Sequence, residues 1–249
     1  MKPDLAEILF ISDLHLSAER PAIIELFNRF IKERAIHAQA LYILGDFFEY
    51  WLGDDDPAEE FESVFNSFAL LHHHKVPVYF MHGNRDFLIQ QDFAKRTHCQ
   101  LITDPESILI DQTQIILMHG DSLCTDDIEY QQFRKKVRNP EWINSFLQKS
   151  LEERKDIVET LRKASKSETA MKKESIMDVN KQAVINAFKQ FNSSWIIHGH
   201  THRPNIHHYD ENGHTLTRIV LGDWHDHGSV LSIKIRPELD FDVELEAFH

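Results

Sequence analysis

Polar residues that can bind a metal ion follow five short apolar runs of the sequence. Each run has the length of a buried strand and is followed at once by Asp, Asn, His or Gly. The five segments are Asp13-Leu14-His15, Gly45-Asp46, His82-Gly83-Asn84-Arg85-Asp86, His119-Gly120-Asp121 and His198-Gly199-His200-Thr201-His202. Because open α/β sheets bind their ligands beyond the carboxyl ends of the strands, we expect these side chains to converge at one edge.

The donor types in these segments indicate a metal site. Asp13 and His15 are two residues apart and point to the same side of an extended chain, and His200 and His202 repeat that spacing. The candidate ligands are Asp13, His15, Asp46, Asn84, His119, His200 and His202. This set holds oxygen and nitrogen donors without a thiolate, which suits Mn²⁺, Fe or Zn²⁺ in open five- or six-coordinate sites. It exceeds the need of one ion and suits two metals that share a carboxylate.

Each segment alone also has an ordinary structural explanation. An Asp at a strand end often forms a turn, a Gly-Asn pair often adopts positive φ, and a single His is more often a hydrogen-bonded structural residue. The occurrence of all five segments at predicted strand ends favours the metal site.

The elements that must position these residues are those of an α/β fold. Apolar runs predict strands over residues 8–12, 41–44, 76–81, 115–118, 195–197, 216–221, 230–235 and 241–245. Helical spacing predicts helices over residues 21–36 and 61–71. Residues 126–191 show helical spacing and no convincing strand, which predicts a helical insert.

The predicted insert is basic. Residues 134–173 contain 12 basic and 6 acidic side chains, although the whole chain has a net charge of −13. A basic insert on an acidic body is typical of a cap that faces an anion. A solvated helical face with Lys–Glu pairs explains the charge about as well.

The composition limits the classes of protein. With 249 residues, 42% hydrophobic and 27% charged, the chain fits one large α/β domain or one domain with an inserted cap. Its 2 cysteines exclude a disulfide scaffold, and the negative charge argues against a nucleic-acid partner. No apolar run reaches the ~18 residues of a membrane span, and the first residues do not form a signal peptide. We therefore expect a soluble, cytoplasmic protein, with contact to a membrane surface left open.

The order Asp-x-His, Gly-Asp, Gly-Asn-x-Asp, His-Gly-Asp and Gly-His-x-His resembles the calcineurin-like metallophosphoesterase superfamily over residues 8–224. The resemblance implies a two-sheet α/β sandwich flanked by helices, formed by one domain over residues 1–249 with a helical cap inserted at 126–191. It also implies two Mn²⁺ ions per chain and hydrolysis by a water that the two metals activate.

Longer motifs are similar to those of a narrower family, the diphosphatases that cleave UDP-2,3-diacylglucosamine in lipid A synthesis. These motifs are Leu44-Gly45-Asp46-Phe47-Phe48-Glu49, Gly53-Asp54-Asp55-Asp56-Pro57, Asn84-Arg85-Asp86-Phe87-Leu88, Cys124-Thr125-Asp126-Asp127, Ile176-Met177-Asp178-Val179-Asn180 and His200-Thr201-His202-Arg203-Pro204. This resemblance implies release of UMP and 2,3-diacylglucosamine 1-phosphate, with attack at the α-phosphorus. It further implies a peripheral position on the cytoplasmic face of the inner membrane of a Gram-negative cell, and no nucleic-acid partner. We expect a monomer, although the sequence does not fix the oligomeric state.

The resemblance assigns roles residue by residue. It gives one metal the ligands Asp13, His15, Asp46 and His202, and the other metal Asp46, Asn84, His119 and His200, with Asp46 as the bridge. It implies a catalytic set of Asp46, Asn84, Arg85 and His119. It implies substrate contacts from Asn84, Arg85, Asp127, Ser165, Thr169, Lys172 and His200. Thr169 stands where that family often has Asn, so this position departs from the family pattern.

Arg85 departs from much of the superfamily, which has a His at this position that can protonate a leaving group. An arginine is no general acid, but it can bind phosphate through two parallel hydrogen bonds. This change fits a substrate whose leaving group is already a phosphate, and its structural alternative is a salt bridge to Asp86 or another acid.

The insert has an apolar face formed by Trp142, Phe146, Leu147 and Leu151. These residues fit either an acyl-chain pocket or bilayer contact, or plain packing of the insert on the body, and packing is favoured slightly.

Two other functions stay open at the level of sequence. One is another phosphoesterase or nucleotide pyrophosphatase on the same scaffold, against which the insert and Arg85 argue. The other is a non-catalytic scaffold, whose signature would be missing ligands; no matched ligand position is substituted here.

Overall fold

Two facing β-sheets form the centre of the part of the chain that the structure describes. The computed structural model describes residues 6–171, 176, 178–236 and 240–249, without the side chains of 164–171 and 240. The strands are β1 (Ala6–Ile11), β2 (Ala40–Leu44), β3 (Val78–Met81), β4 (Gln100–Ile102), β5 (Glu106–Ile110), β6 (Thr113–Met118), β7 (Trp195–His198), β8 (Asn205–Glu211), β9 (His214–Val220), β10 (Gly228–Arg236) and β11 (Asp240–Phe248). The first sheet has the order β11-β10-β1-β2-β3-β4, and the second has the order β5-β6-β7-β9-β8.

Helices cover the outer faces of both sheets. They are α1 (Pro21–Glu33), α2 (Glu62–His73), α3 (Gln91–Thr97), α4 (Ile128–Val137), α5 (Pro140–Leu147), α6 (Leu151–Met171) and α7 (Lys181–Phe191). Helix α1 buries Ile23, Phe27 and Phe30, whose spacing places them on one face, against the first sheet. Helix α7 buries Val184 and Phe188 in a cluster with residues of β6 and β7. The predicted two-sheet α/β sandwich flanked by helices is confirmed.

The strand directions bring the candidate site together. Strands β1, β2 and β3 run parallel in the first sheet, and β6, β7 and β9 run parallel in the second. Between the sheets lies an apolar layer that includes Phe10, Leu44, Leu117 and Ile197. Backbone hydrogen bonds then join the strand ends, as when Gly199 N donates to the carbonyl oxygen of His119 at 2.9 Å.

All eight predicted strands correspond to strands of the structure, whereas β4, β5 and β8 were not predicted. These three strands lie at sheet edges, where one or both faces contact solvent. Strand β8, Asn-Ile-His-His-Tyr-Asp-Glu, therefore lacks the apolar run of a buried strand. Within residues 126–191, the described part is helical, as predicted.

The apolar face of the insert packs on the body. Trp142 and Phe146 stack with ring centroids 5.1 Å apart, and Phe146 is buried in the core cluster of the first sheet. Leu147 is partly buried against the same cluster. The packing interpretation of this face is the one that these contacts support.

Candidate metal centre

The candidate ligands lie in loops that immediately follow parallel strands. The loop after β1 pairs with the loop after β2, since Asp13 N donates to Gly45 O and His15 N to Asp46 O, both at 3.0 Å. Asp13 also accepts a hydrogen bond from His200 N at 2.9 Å, which joins the loop after β7 to this pair. These backbone contacts fix where the side chains start.

Backbone strain is concentrated at the same residues. Five candidate ligands have left-handed φ angles: Asp13 (57°), His15 (49°), Asp46 (51°), His200 (69°) and His202 (54°). This conformation costs about 1 kcal/mol for a residue other than glycine, although Asp and His tolerate it better than most. The concentration of such residues at one place is typical of a functional site.

Asp13, His15 and His202 form the first of two candidate metal groups. Their ligand atoms all lie within 4.8 Å of one another. His202 Nε2 lies 3.3 Å from His15 Nε2 and 3.3 Å from Asp13 Oδ1. Asp13 Oδ1 is buried and has no hydrogen-bond partner in the described part of the chain, so its free lone pairs face the group. A cation between these atoms would satisfy them.

Asp46, His119 and His200 form the second group, again within 4.8 Å. His119 Nδ1 lies 2.9 Å from the carbonyl oxygen of Leu44 and must donate a hydrogen bond to it, since a carbonyl oxygen can only accept. His119 Nε2 faces Asn84 Oδ1 at 3.0 Å. When the His119 ring is neutral and carries its proton on Nδ1, Nε2 is an acceptor, and so is Asn84 Oδ1. Two acceptors 3.0 Å apart need a cation or a proton between them.

Asp46 lies between the two groups. Its Oδ2 is 3.9 Å from His15 Nε2, and its Oδ1 is 3.7 Å from His119 Nε2. Oδ1 also accepts the backbone N–H of Arg85 at 2.8 Å. One oxygen thus faces each group, which is the arrangement that a bridging carboxylate requires.

The surrounding charges attract a cation to this place. Burial lowers the pKa of His119, but the carboxylates of Asp46, Asp121 and Asp13 outweigh burial and raise this pKa to about 9. Burial and then the charge of His119 lower the pKa of His200 to about 4. Burial opposes ionisation of Asp13, yet His202 holds the pKa of that carboxyl well below its usual range. The site therefore carries ionised carboxylates that divalent cations would neutralise.

Asp86 holds two of the site loops together. Its carboxylate is fully buried and accepts the backbone N–H groups of Gly83 at 2.7 Å and Phe47 at 2.8 Å. Burial and the charge of Asp46 raise its pKa to about 6. The Asp86 carboxylate accepts from backbone N–H groups and forms no salt bridge with Arg85. The buried Nε of Arg85 has no hydrogen-bond partner among the described residues.

Not every predicted substrate contact can be placed. Asp127 is buried and begins helix α4, where its Oδ1 accepts the backbone N–H of Tyr130 at 3.1 Å. The side chains of Ser165 and Thr169, and all of Lys172, lie outside the described residues.

Sequence reasoning missed a network beneath helix α4. Asp121 is fully buried and accepts hydrogen bonds from Tyr130 Oη at 2.8 Å and Arg134 Nε at 2.7 Å. Tyr130 also stacks on His200, with ring centroids 5.9 Å apart. Arg138 donates to the carbonyl oxygen of Gly83 at 2.9 Å. The available signal was the spacing of Arg134 and Arg138, four residues apart on one helix face.

All four arginines of the basic segment contact the body of the molecule. Arg134 and Arg138 reach Asp121 and Gly83, Arg162 donates to Glu49 Oε1 at 2.9 Å, and Arg154 donates to Asp55 Oδ1 at 2.5 Å. Part of the positive charge of this segment is therefore paired with acidic and carbonyl groups of the body.

The fold and the two metal groups define a class of protein. The model of the calcineurin-like phosphoesterase family matches residues 6–204. The chain therefore belongs to the calcineurin-like phosphoesterase family, and the resemblance deduced from the motifs is confirmed.

Relatives within this family carry a more particular name. A protein named UDP-2,3-diacylglucosamine hydrolase from Proteus mirabilis (strain HI4320) is 51% identical over 225 residues, which are 90% of this chain and 94% of the relative. A protein of the same name from Yersinia pestis bv. Antiqua (strain Angola) is 48% identical over the same shares. Among solved structures, a predicted phosphoesterase from Streptococcus pneumoniae TIGR4 covers 97% of this chain and 89% of its own at 12% identity and a TM-score of 0.46, a likeness too distant to bear on function.

Proposed function

We propose that this chain hydrolyses the diphosphate of UDP-2,3-diacylglucosamine to UMP and 2,3-diacylglucosamine 1-phosphate in lipid A biosynthesis. One observation carries the proposal: the two metal groups meet at Asp46 in a chain that is 51% identical over 225 residues to a relative named for this substrate. Two observations support a phosphate-binding role for Arg85: its backbone N contacts Asp46, and its buried Nε has no hydrogen-bond partner among the described residues.

The donor set fits two divalent cations, which we propose to be Mn²⁺. Asp13, His15, Asp46 and His202 would hold one ion, and Asp46, Asn84, His119 and His200 would hold the other. When bound, the two ions would polarise the phosphoryl oxygens and lower the pKa of the attacking water. The chain itself contributes the fixed ring of His119, the proposed bridging carboxylate of Asp46 and the hydrogen-bonded loops that hold the candidate ligands in place.

We propose that Arg85 binds the diphosphate and stabilises the charge that develops there. Changing Arg85 to lysine should lower kcat/KM about 10-fold, because an ammonium group cannot form two parallel hydrogen bonds to phosphate. Mn²⁺ binding should stay unchanged, since only the backbone N–H of Arg85 contacts Asp46. Steady-state kinetics beside a metal titration would check both parts, and a loss of bound metal would contradict this role.

We propose that residues 126–191 form a cap over the substrate, within a single domain that spans the chain. Asp127, Ser165, Thr169 and Lys172 are its proposed substrate contacts, with Asn84 and His200 contributing from the body.

Helix α4 exposes Ile128 (66%) and Phe133 (40%) next to the exposed Lys135 and Lys136, which supports contact with an anionic membrane surface. No helix in the described ranges combines the length and apolar character of a bilayer span. A peripheral, monomeric protein at the cytoplasmic face of the inner membrane, without a nucleic-acid partner, is the proposal that follows.

The test is turnover of UDP-2,3-diacylglucosamine with Mn²⁺, beside bis(p-nitrophenyl) phosphate as a simple phosphodiester. We expect the lipid to be cleaved to UMP, and in ¹⁸O-labelled water we expect the label in UMP. Cleavage of the simple diester alone would keep the metal site and reject the substrate. Metal binding without turnover of either compound would favour the non-catalytic scaffold.

A further inference from the structure

A glutamate outside the predicted ligand set lies against His15. Glu49 follows β2 in the loop that pairs with the loop after β1: its backbone N donates to Leu16 O at 3.0 Å, and Leu16 N donates to Phe47 O at 2.9 Å. This register places the Glu49 side chain beside the imidazole. Glu49 Oε2 lies 3.1 Å from His15 Nδ1, an ion-pair contact whose N–H direction is off the ideal hydrogen-bond line.

The other ring nitrogen of His15 faces the candidate metal centre. His15 Nε2 lies 3.3 Å from His202 Nε2 and 3.9 Å from Asp46 Oδ2. An imidazole that binds a metal through Nε2 keeps its proton on Nδ1, and a carboxylate at Nδ1 fixes both the tautomer and the ring orientation. Glu49 occupies the position of that carboxylate.

The second oxygen of Glu49 is bound by helix α6. Arg162 Nη2 donates to Glu49 Oε1 at 2.9 Å, and the Arg162 guanidinium lies 5.4 Å from the ring centroid of Tyr50. Glu49 is about four-fifths buried, so both of its oxygens are held by protein contacts. A single carboxylate therefore connects helix α6 to His15.

We propose that Glu49 is the positioning residue of His15 and that Arg162 couples the seating of helix α6 to ion binding at the Asp13–His15–His202 group. This inference rests on the proposed function in that it takes His15 as a metal ligand. Coupling between two sites is reciprocal: if a seated α6 tightens ion binding, then ion binding stabilises the seated α6 by the same factor.

The first test measures metal binding without substrate. Mn²⁺ is titrated into the metal-free protein, and unbound Mn²⁺ is followed by electron paramagnetic resonance. Wild type should bind two ions, and Glu49→Ala should weaken one of them about 10- to 100-fold. Glu49→Gln, which keeps an oxygen that can face Nδ1–H, should recover most of this loss. Glu60→Ala, which removes an exposed acid elsewhere, should leave both constants unchanged.

Combined substitutions identify which ion is weakened. Adding Glu49→Ala to His15→Ala should cause little further loss, because Glu49 acts on this ion only through the His15 ring. Adding Glu49→Ala to His200→Ala should weaken both ions, because His200 belongs to the other group. Losses that simply add for His15 and Glu49 would overturn the assignment of Glu49 to His15.

The second test measures the coupling to α6. Mn²⁺ should slow amide hydrogen exchange over residues 151–163 in wild type and in Lys163→Gln, but not in Glu49→Ala or Arg162→Gln. Lys163 is the matched control because it is exposed on the same helix and carries the same charge. Equal protection in all four proteins would overturn the coupling, and wild-type Mn²⁺ affinity in Glu49→Ala would overturn the positioning role. A wild type that binds fewer than two ions would reject the two-metal site itself, and this inference with it.

Discussion

Replacing Asp46 by alanine should lower kcat/KM for UDP-2,3-diacylglucosamine at least ~10³-fold, which corresponds to about 4 kcal/mol of barrier. The physical reason is that one oxygen of Asp46 faces each metal group, at 3.9 Å from His15 Nε2 and 3.7 Å from His119 Nε2. Asp46 is the carboxylate of the second group, and its Oδ2 also faces His15 of the first group. Without this carboxylate, two cations would repel each other across the site with nothing between them.

The measurement is steady-state hydrolysis beside a Mn²⁺ titration and a thermal melt. Asp226→Ala is the matched control, because Asp226 is 91% exposed in a loop and its loss should change none of these quantities. If Asp46→Ala kept a tenth or more of wild-type activity at saturating Mn²⁺, the bridging role would be wrong.

Replacing Gly83 by alanine should lower kcat/KM at least ~10²-fold although the new side chain is a single methyl group. A Cβ at this position would lie 2.1 Å from the backbone N of Asp46 and 2.1 Å from its Oδ1. Ordinary contact begins at 3.4 Å, so the loop that carries Asp46 must move by about 1 Å. A displacement of that size at a reacting centre costs about two orders of magnitude in rate.

Gly213 provides the control for this substitution. It has φ +79° in the turn between β8 and β9, and a Cβ there would meet nothing within 4 Å. Gly213→Ala should therefore cost about 1 kcal/mol of unfolding free energy through backbone strain and leave hydrolysis unchanged. Kinetics and chemical denaturation of the two variants separate a clash at the site from a general loss of stability; similar activity in both would contradict the prediction.

The buried strands can be predicted from the sequence because they follow from local pattern, and the candidate ligands are chosen by the same pattern. An apolar run that ends in Asp, His or Asn is visible within a few residues, and parallel strands bring such ends to one edge. The edge strands β4, β5 and β8 lack that pattern, since water contacts much of their surface.

The contacts that position the ligands were missed because they join residues far apart in the chain. Glu49 reaches His15 only through the pairing of two loops, and Arg162 reaches Glu49 across 113 positions. Hydropathy and charge spacing describe neighbours along the chain and contain no information on such pairs. For the same reason, composition alone does not show that the arginines of the basic segment contact the body, and it fits a solvated helical face as well.

The internal arginines also decide whether the inserted helices are a separable module. Asp121 and the 4%-exposed Arg154 form ion pairs whose two members come from opposite sides of the boundary between insert and body. Deleting the insert would strip Asp121 of its arginine partners, and an uncompensated buried charge costs several kcal/mol. The insert is thus a separate segment of the chain, but its ion pairs with the body contribute to the stability of both. Evolution or engineering could exchange the insert only together with Asp121 and Asp55, the acids that pair with its arginines.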